Sequence, residues 1–315
     1  MKGFYKMKKL IYIASALTYA LFGKAMADVS VSGSASFAYT DAGGNAESIH
    51  GGGVSFALST TTDAGVSISG SSAISLDGDS VNNSSSSTGV TSLTFGFANG
   101  SITFGDDIGV ADGKGKVGEL VGYADDGLRG VSYTTGIGDD EGSGVAASTS
   151  IGDMSLSVQY VWDAAAQGNV DGATSTTSGA SLTMPVGDMT LTLATAADDV
   201  NGTNMTETAG ALTLPVGAGS LSVGITGTSG DTATKKGESY SAAYKTTMGD
   251  VSVGIGYTAH DVNSKKGQQT DVTLSTSLGG GASLWAEYTS TSGTISADTA
   301  TTNASVIAVG TSVSF

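Results

Sequence analysis

The chain has 315 residues, 48 of them glycine and two of them proline, and no cysteine. Charged residues make up 13% of it, about half the share of an ordinary soluble domain. After residue 25 no apolar run approaches the length of a spanning helix, so the profile is neither that of a soluble enzyme nor that of a helical membrane protein. Three classes remain: a β-barrel in lipid, a secreted β-solenoid, and a disordered low-complexity chain. The missing cysteines exclude a disulfide framework and little else.

The N-terminus reads as a secretory signal peptide covering residues 1–27. Lys2, Lys6, Lys8 and Lys9 form a basic start, 10–22 is an apolar run of 13 residues, and Ala25-Met26-Ala27 has the small-x-small form of a cleavage site. The run is too short for a spanning helix. The mature chain, 28–315, is expected to begin at Asp28. The leader removes five lysines and no acid, leaving eight basic residues against 29 acidic ones, a net charge of −21. A surface of that sign repels nucleic acid, attracts cations and keeps long loops hydrated.

From Asp28 onward the hydrophobic period is two. Leu156, Val158, Tyr160 and Trp162 alternate with Ser155, Ser157 and Gln159; Val251, Val253, Ile255 and Tyr257 alternate with Ser252, Gly254 and Gly256. This is strand periodicity. The polar faces are small, and the charges inside strands fall opposite the apolar face: Lys245 lies between Tyr244 and Thr246, and Glu287 between Ala286 and Tyr288. A sheet with lipid on one face and water on the other has this distribution. Strands are predicted near 28–40, 50–61, 65–76, 88–98, 100–106, 143–151, 153–163, 176–185, 187–197, 206–215, 218–229, 237–248, 250–261, 268–279, 281–291 and 304–315. Most have about ten residues, the length a tilted strand needs to cross a bilayer. An even count closes an antiparallel barrel, here all-β and transmembrane with sixteen strands.

Short and long connections alternate. The short ones are rich in Gly, Asn and Asp and include Pro185 to Gly187 and Pro215 to Gly219; long ones include 77–88, 163–175 and 292–303. The connection 107–142 is different, with 36 residues, too many for a hairpin loop. It carries Asp107, Asp112, Glu119, Asp125 and Asp126 with Lys114, Lys116 and Arg129, the one arginine of the chain, and Asp106 precedes it directly. The stretch 130–135 reads either as part of this loop or as a further strand.

Four features resemble the trimeric porins of Gram-negative bacteria, the alphaproteobacterial kind above all. The start Val29-Ser-Val-Ser-Gly-Ser-Ala-Ser-Phe-Ala-Tyr39 is similar to the first porin strand. Leu93-Thr-Phe-Gly-Phe-Ala-Asn-Gly-Ser-Ile-Thr-Phe-Gly105 is similar to the fourth strand, tight turn and fifth strand. The long connection follows where that family places its constriction loop. Ile307, Val309, Thr311 and Val313 alternate up to a terminal Phe315. The resemblance implies a sixteen-stranded outer-membrane barrel with an inward-folded loop at 107–142. It also implies a homotrimer in outer-membrane lipid, passive diffusion of small hydrophilic solutes and ions, no enzymatic chemistry, and Phe315 as part of the signal read by the barrel-assembly machinery. One departure is plain. Such porins often set an arginine cluster against the loop acids, whereas here Arg129 stands alone and a transverse field has to draw on Lys114, Lys116 and Lys245 too.

Carboxylates around a narrow passage favour cations. Asp106, Asp107, Asp112, Glu119, Asp125 and Asp126 are therefore candidates for a weakly cation-selective constriction, with Lys245 and Glu287 on the lumen wall; the bland account is that the loop acids are merely solvated. Asp77-Gly-Asp79 and Asp139-Asp140-Glu141 offer oxygen ligands for calcium but lack the spacing of a calcium loop, so no cofactor is expected. His50 and His260, without cysteine, make a transition-metal site a poor expectation. Tyr160, Trp162, Tyr244, Tyr257 and Tyr288 are expected at the membrane interface. No serine has a nucleophile-elbow context. The rival reading is a secreted β-solenoid adhesin or surface-layer protein. It predicts a fixed internal repeat, and the spacing here varies.

Overall fold

The computed structural model describes residues 28–42, 45–75, 90–105, 108–111, 114–115, 117–118, 120, 142–164, 175–200, 203–230, 237–262, 265–293 and 304–315. Among them sixteen antiparallel strands close into one barrel. They are β1 (Asp28–Ala42), β2 (Asn45–Thr61), β3 (Ser67–Ser75), β4 (Val90–Phe97), β5 (Gly100–Gly105), β6 (Gly142–Ile151), β7 (Met154–Ala164) and β8 (Ser175–Val186). The second half comprises β9 (Met189–Val200), β10 (Thr203–Val216), β11 (Gly219–Gly230), β12 (Gly237–Met248), β13 (Val251–Val262), β14 (Lys265–Gly279), β15 (Ala282–Gly293) and β16 (Ala304–Ser314). The stretch 130–135 lies outside the described residues, as do the leader and the acid clusters at 77–79 and 139–141; the ring closes without them.

Each strand pairs with its neighbours in sequence, and β1 pairs with β16 to close the sheet. The last rung is a reciprocal pair: Gly33 N–H donates to Phe315 O at 2.9 Å, and Phe315 N–H donates to Gly33 O at 3.0 Å. The Phe315 ring lies over Gly33, where a Cβ would meet its Cε2 at 2.7 Å. A closed ring leaves no edge N–H or C=O unpaired in lipid.

Alternation sets the two faces. Outward lie Leu221, Val223 and Ile225 on β11, Val251, Val253, Ile255 and Tyr257 on β13, and Ile307, Val309 and Val313 on β16. Inward lie Ser222, Gly224 and Thr226, then Ser252, Gly254, Gly256 and Thr258, then Val306, Ala308 and Gly310. Ile255 is 53% exposed and Ile307 54%, within a continuous outward band that water would not tolerate and lipid covers. All five aromatics expected at the interface face outward. Tyr244 sits near the short turns, and its hydroxyl donates to Val216 O at 3.2 Å; the other four lie toward the opposite rim.

Two-residue turns join β6–β7, β8–β9, β10–β11 and β12–β13, each opened by a glycine at positive φ: Gly152 (59°), Gly187 (63°), Gly217 (60°) and Gly249 (63°). Pro185 and Pro215 are not turn residues. Each lies one position before the end of its strand, opposite Thr190 and Ser220. At the other rim β1–β2, β9–β10 and β13–β14 run on until only two residues separate them, so the expected loops there are extended hairpins. Their side chains are polar, as in the Asp261–Lys266 ion pair at 3.2 Å, and so hide a ladder that needs only backbone pairing.

Replacing Ile255 with arginine is expected to cost roughly 2–4 kcal/mol of stability in a bilayer, while Ser222→Arg on the inner face is expected to cost little. Urea unfolding of vesicle-reconstituted protein measures both.

Candidate functional site

After β5, the described residues between Ile108 and Leu120 lie inside the barrel, along the inner wall from β7 to β14. Gln159 on β7 starts the path: its Oε1 accepts from Val110 N–H and, at 3.2 Å, from Ala111 N–H. Ala111, fully buried, packs with Ala194, Ala196 and Ala209 of β9 and β10. Gly115 follows, and its carbonyl accepts from Ser241 Oγ of β12 at 2.8 Å; Val117 N–H donates to the same hydroxyl at 3.3 Å. Leu120 N–H then donates to Asp271 Oδ2 on β14 at 3.1 Å.

The wall under this path is built from small residues for a steric reason. A Cβ on Gly224 or Gly256 would collide with the carbonyl of Gly115 or Gly118, and one on Gly254 would reach Leu120 Cδ1 at 3.0 Å. Backbone therefore lies on backbone. Gly115 itself has φ 88° and sits where a Cβ would come within 2.9 Å of Ala209 Cβ.

Asp271 anchors the far end. It is fully buried and accepts from Thr289 Oγ1 at 2.7 Å, from Gln269 Nε2 at 3.0 and 3.1 Å, and from the loop. Two further wall acids are buried: Asp198, with Thr177 Oγ1 at 2.6 Å, and Glu207, with Thr228 Oγ1 at 3.2 Å. None of the three was singled out from sequence, although Asp271 alternates with Thr270 and Val272 as an inward residue must. Asp63, Asp153, Asp188 and Asp250 form another group. Each occupies a short turn, all are exposed, and they share one rim with Asp28.

Lys245 and Glu287 both face the lumen, as alternation implies. They occupy one cross-strand row, Lys245–Gly254–Thr273–Glu287, three strands or roughly 14 Å apart at about 4.8 Å per strand. Lys114 lies in the inward segment, half-buried, with its N–H donating to Ala111 O at 3.3 Å. Asp106, Asp107, Asp112, Lys116, Glu119, Asp125, Asp126 and Arg129 lie outside the described residues. Hydroxyl pairs bridge neighbouring strands on the inner face, among them Thr94 with Thr103 at 2.9 Å, Ser101 with Ser148 at 2.8 Å, Thr213 with Ser222 at 2.8 Å and Ser283 with Ser312 at 2.7 Å. The described residues contain no group of three or more metal-ligating side chains.

No protein-family model matches the sequence, and no curated protein does. Solved structures match over nearly the whole chain. An anion-selective porin from Comamonas acidovorans superposes with a TM-score of 0.69 at 15% identity, covering 92% of this chain and 100% of its own. The fold is that of the porins. OmpF of Salmonella typhi, in complex with daunomycin, gives 0.69 at 12% identity, covering 91% of this chain and 97% of its own. OmpT of Vibrio cholerae in its trimer form gives 0.67 at 14%, covering 92% and 99%. At such identities the porin likeness is one of architecture.

Asp271→Ala strands three donors, with a cost on the order of 1–3 kcal/mol. It is expected to make the chain around Leu120 more open to limited proteolysis and to add noise to any channel current, with the barrel intact in circular dichroism. Gly256→Val is expected to do the same by displacing Gly118.

Proposed function

We propose that this chain is a general diffusion porin of a bacterial outer membrane: a water-filled channel that passes small hydrophilic solutes and ions passively and performs no covalent chemistry. One observation carries the reading. A closed barrel with an apolar outer band has a small, hydroxylated inner face, and the described residues between Ile108 and Leu120 lie on that face. A β-solenoid has neither closure nor an inward loop. The leader at 1–27 supplies export, and Phe315 at the closing rung is well placed to be read by the barrel-assembly machinery.

Assembly as a homotrimer draws support from the outer face of β4 and β5. The outward residues there are large, with Phe97 46% exposed and Phe95 and Phe104 edge-on at 6.3 Å. A neighbouring subunit covers such a face better than lipid. The trimer form of Vibrio cholerae OmpT shows that this architecture admits a trimer.

The channel is weakly cation-selective in this reading. Asp198, Glu207, Asp271 and Glu287 face the lumen against Lys245, and five aspartates ring the short-turn mouth. Field lines from such a ring concentrate cations at the entrance. The fold does not set the sign, since the Comamonas acidovorans porin of the same architecture is anion-selective.

Planar-bilayer recording of the signal-cleaved protein tests this. Stepwise currents in threes, with a reversal potential favouring cations, are expected. Asp153→Asn, Asp188→Asn and Asp250→Asn together are expected to bring the cation-to-anion ratio toward unity, most strongly below 0.1 M salt, where the Debye length exceeds about 10 Å. Anion preference in the unaltered protein overturns the selectivity; folded, inserted protein without current overturns the pore.

A further inference from the structure

Tryptophan in a barrel of this kind belongs at the lipid interface, as Trp162 does on the outer face of β7. Trp285 does not follow that rule. It alternates with Leu284 and Ala286 and shares the inward face with Ser283, Glu287 and Thr289. Among the described strand residues it is the only Phe, Tyr or Trp on the lumen wall. Its indole spreads over Gly310 of β16: a Cβ there would come within 2.6 Å of Cε2 and closer still to Cζ2. The indole thus lies against bare backbone, and the residue as a whole is half-buried on the inward face.

The surroundings are hydroxylated. Ser275 of β14 is its cross-strand neighbour on one side and Gly310 on the other. One step toward the short turns lies the Ser283–Ser312 pair, 2.7 Å apart. One step toward the loop lie Thr273 and the carboxylate of Glu287, and two steps away are Asp271 and Thr289, where the inward loop is anchored. A flat apolar ring flanked by hydroxyls and one carboxylate, below the loop, matches one solute chemistry. The C–H face of a cyclic polyol stacks on an indole, and its hydroxyls donate to a carboxylate and exchange hydrogen bonds with serines.

We propose that Trp285, with Glu287, forms a low-affinity stacking site for mono- or oligosaccharides on the inner side of the constriction. The site rests on the channel reading given above. It makes the pore one that retards and concentrates sugars rather than merely admitting them.

The experiment uses the full mature protein with Trp162→Phe, so that Trp285 is its one tryptophan. It is reconstituted in vesicles for fluorescence and in planar bilayers for current, with maltotriose as the probe. Acrylamide is expected to quench Trp285 and brominated lipid to leave it unquenched. Maltotriose is expected to shift its emission and lower conductance with one saturation curve. Trp285→Leu fills the space over Gly310 without a flat ring and is expected to fold, conduct and lose the saturable response at least tenfold. Glu287→Gln is expected to weaken it several-fold, and Trp285→Phe to retain part of it. Maltotriose passing an open channel without saturation overturns the site, as does an undiminished response in Trp285→Leu. Saturation by tetraethylammonium and not by maltotriose assigns the ring to organic cations and overturns the sugar. Protein that does not conduct, yet whose Trp285 is quenched by acrylamide and saturates with maltotriose, sinks the channel and keeps the site.

Discussion

Everything in this molecule depends on pairing every strand N–H and C=O around a closed ring. In hydrocarbon an unpaired backbone group costs several kcal/mol, so the sheet cannot have an edge, and β1 has to meet β16. Closure in turn forces each strand to put alternate residues in lipid and in the lumen. The chain complies with Val, Ile, Leu and aromatics outside and Ser, Thr, Gly and Ala inside. Among the described residues the buried apolar cluster is four alanines where the inward segment meets the wall.

That small-residue interior settles how the loop is held. With no large apolar side chains to pack against, Gly115 and Gly118 lie backbone to backbone on the wall, and the described residues of this path are pinned by polar contacts at Gln159, Ser241 and Asp271. Hydrogen bonds to a charged acceptor contribute about 1.5–3 kcal/mol, which is why the buried Asp271, rather than a hydrophobic contact, terminates the path. Its carboxyl oxygens accept from hydroxyl, amide and backbone donors at once, so one wall residue ties the loop to two neighbouring side chains.

Much of this was legible in the chain. Strand number and facing were readable because period two needs only apolar residues against small polar ones, as in Val251 to Tyr257. Length alone marks 107–142 as unlike a hairpin connection, and alternation alone sets Lys245 and Glu287 opposite the apolar face. Strand ends at the long-loop rim were not, because Lys265 and Lys266 look like loop residues while their backbones still pair with Val262 and Asp261. The track was not readable either: Gly224, Gly254 and Gly256 look like any weakly specified strand positions until another backbone lies across them. Asp198 sits beyond the apolar run of β9, among alanines that blur the period.

The closing rung joins residues from opposite ends of the chain, Gly33 and Phe315. Contacts between residues so distant in sequence form slowly, because the loop they close is the entire barrel. Until the last strand arrives, β1 and β15 both present open edges, the template for wrong pairing. A chain of this design has no partially assembled form that is safe in either water or lipid. The strand β16 is thus a checkpoint in time as well as a structural seam, since it must be made before the sheet can become a wall.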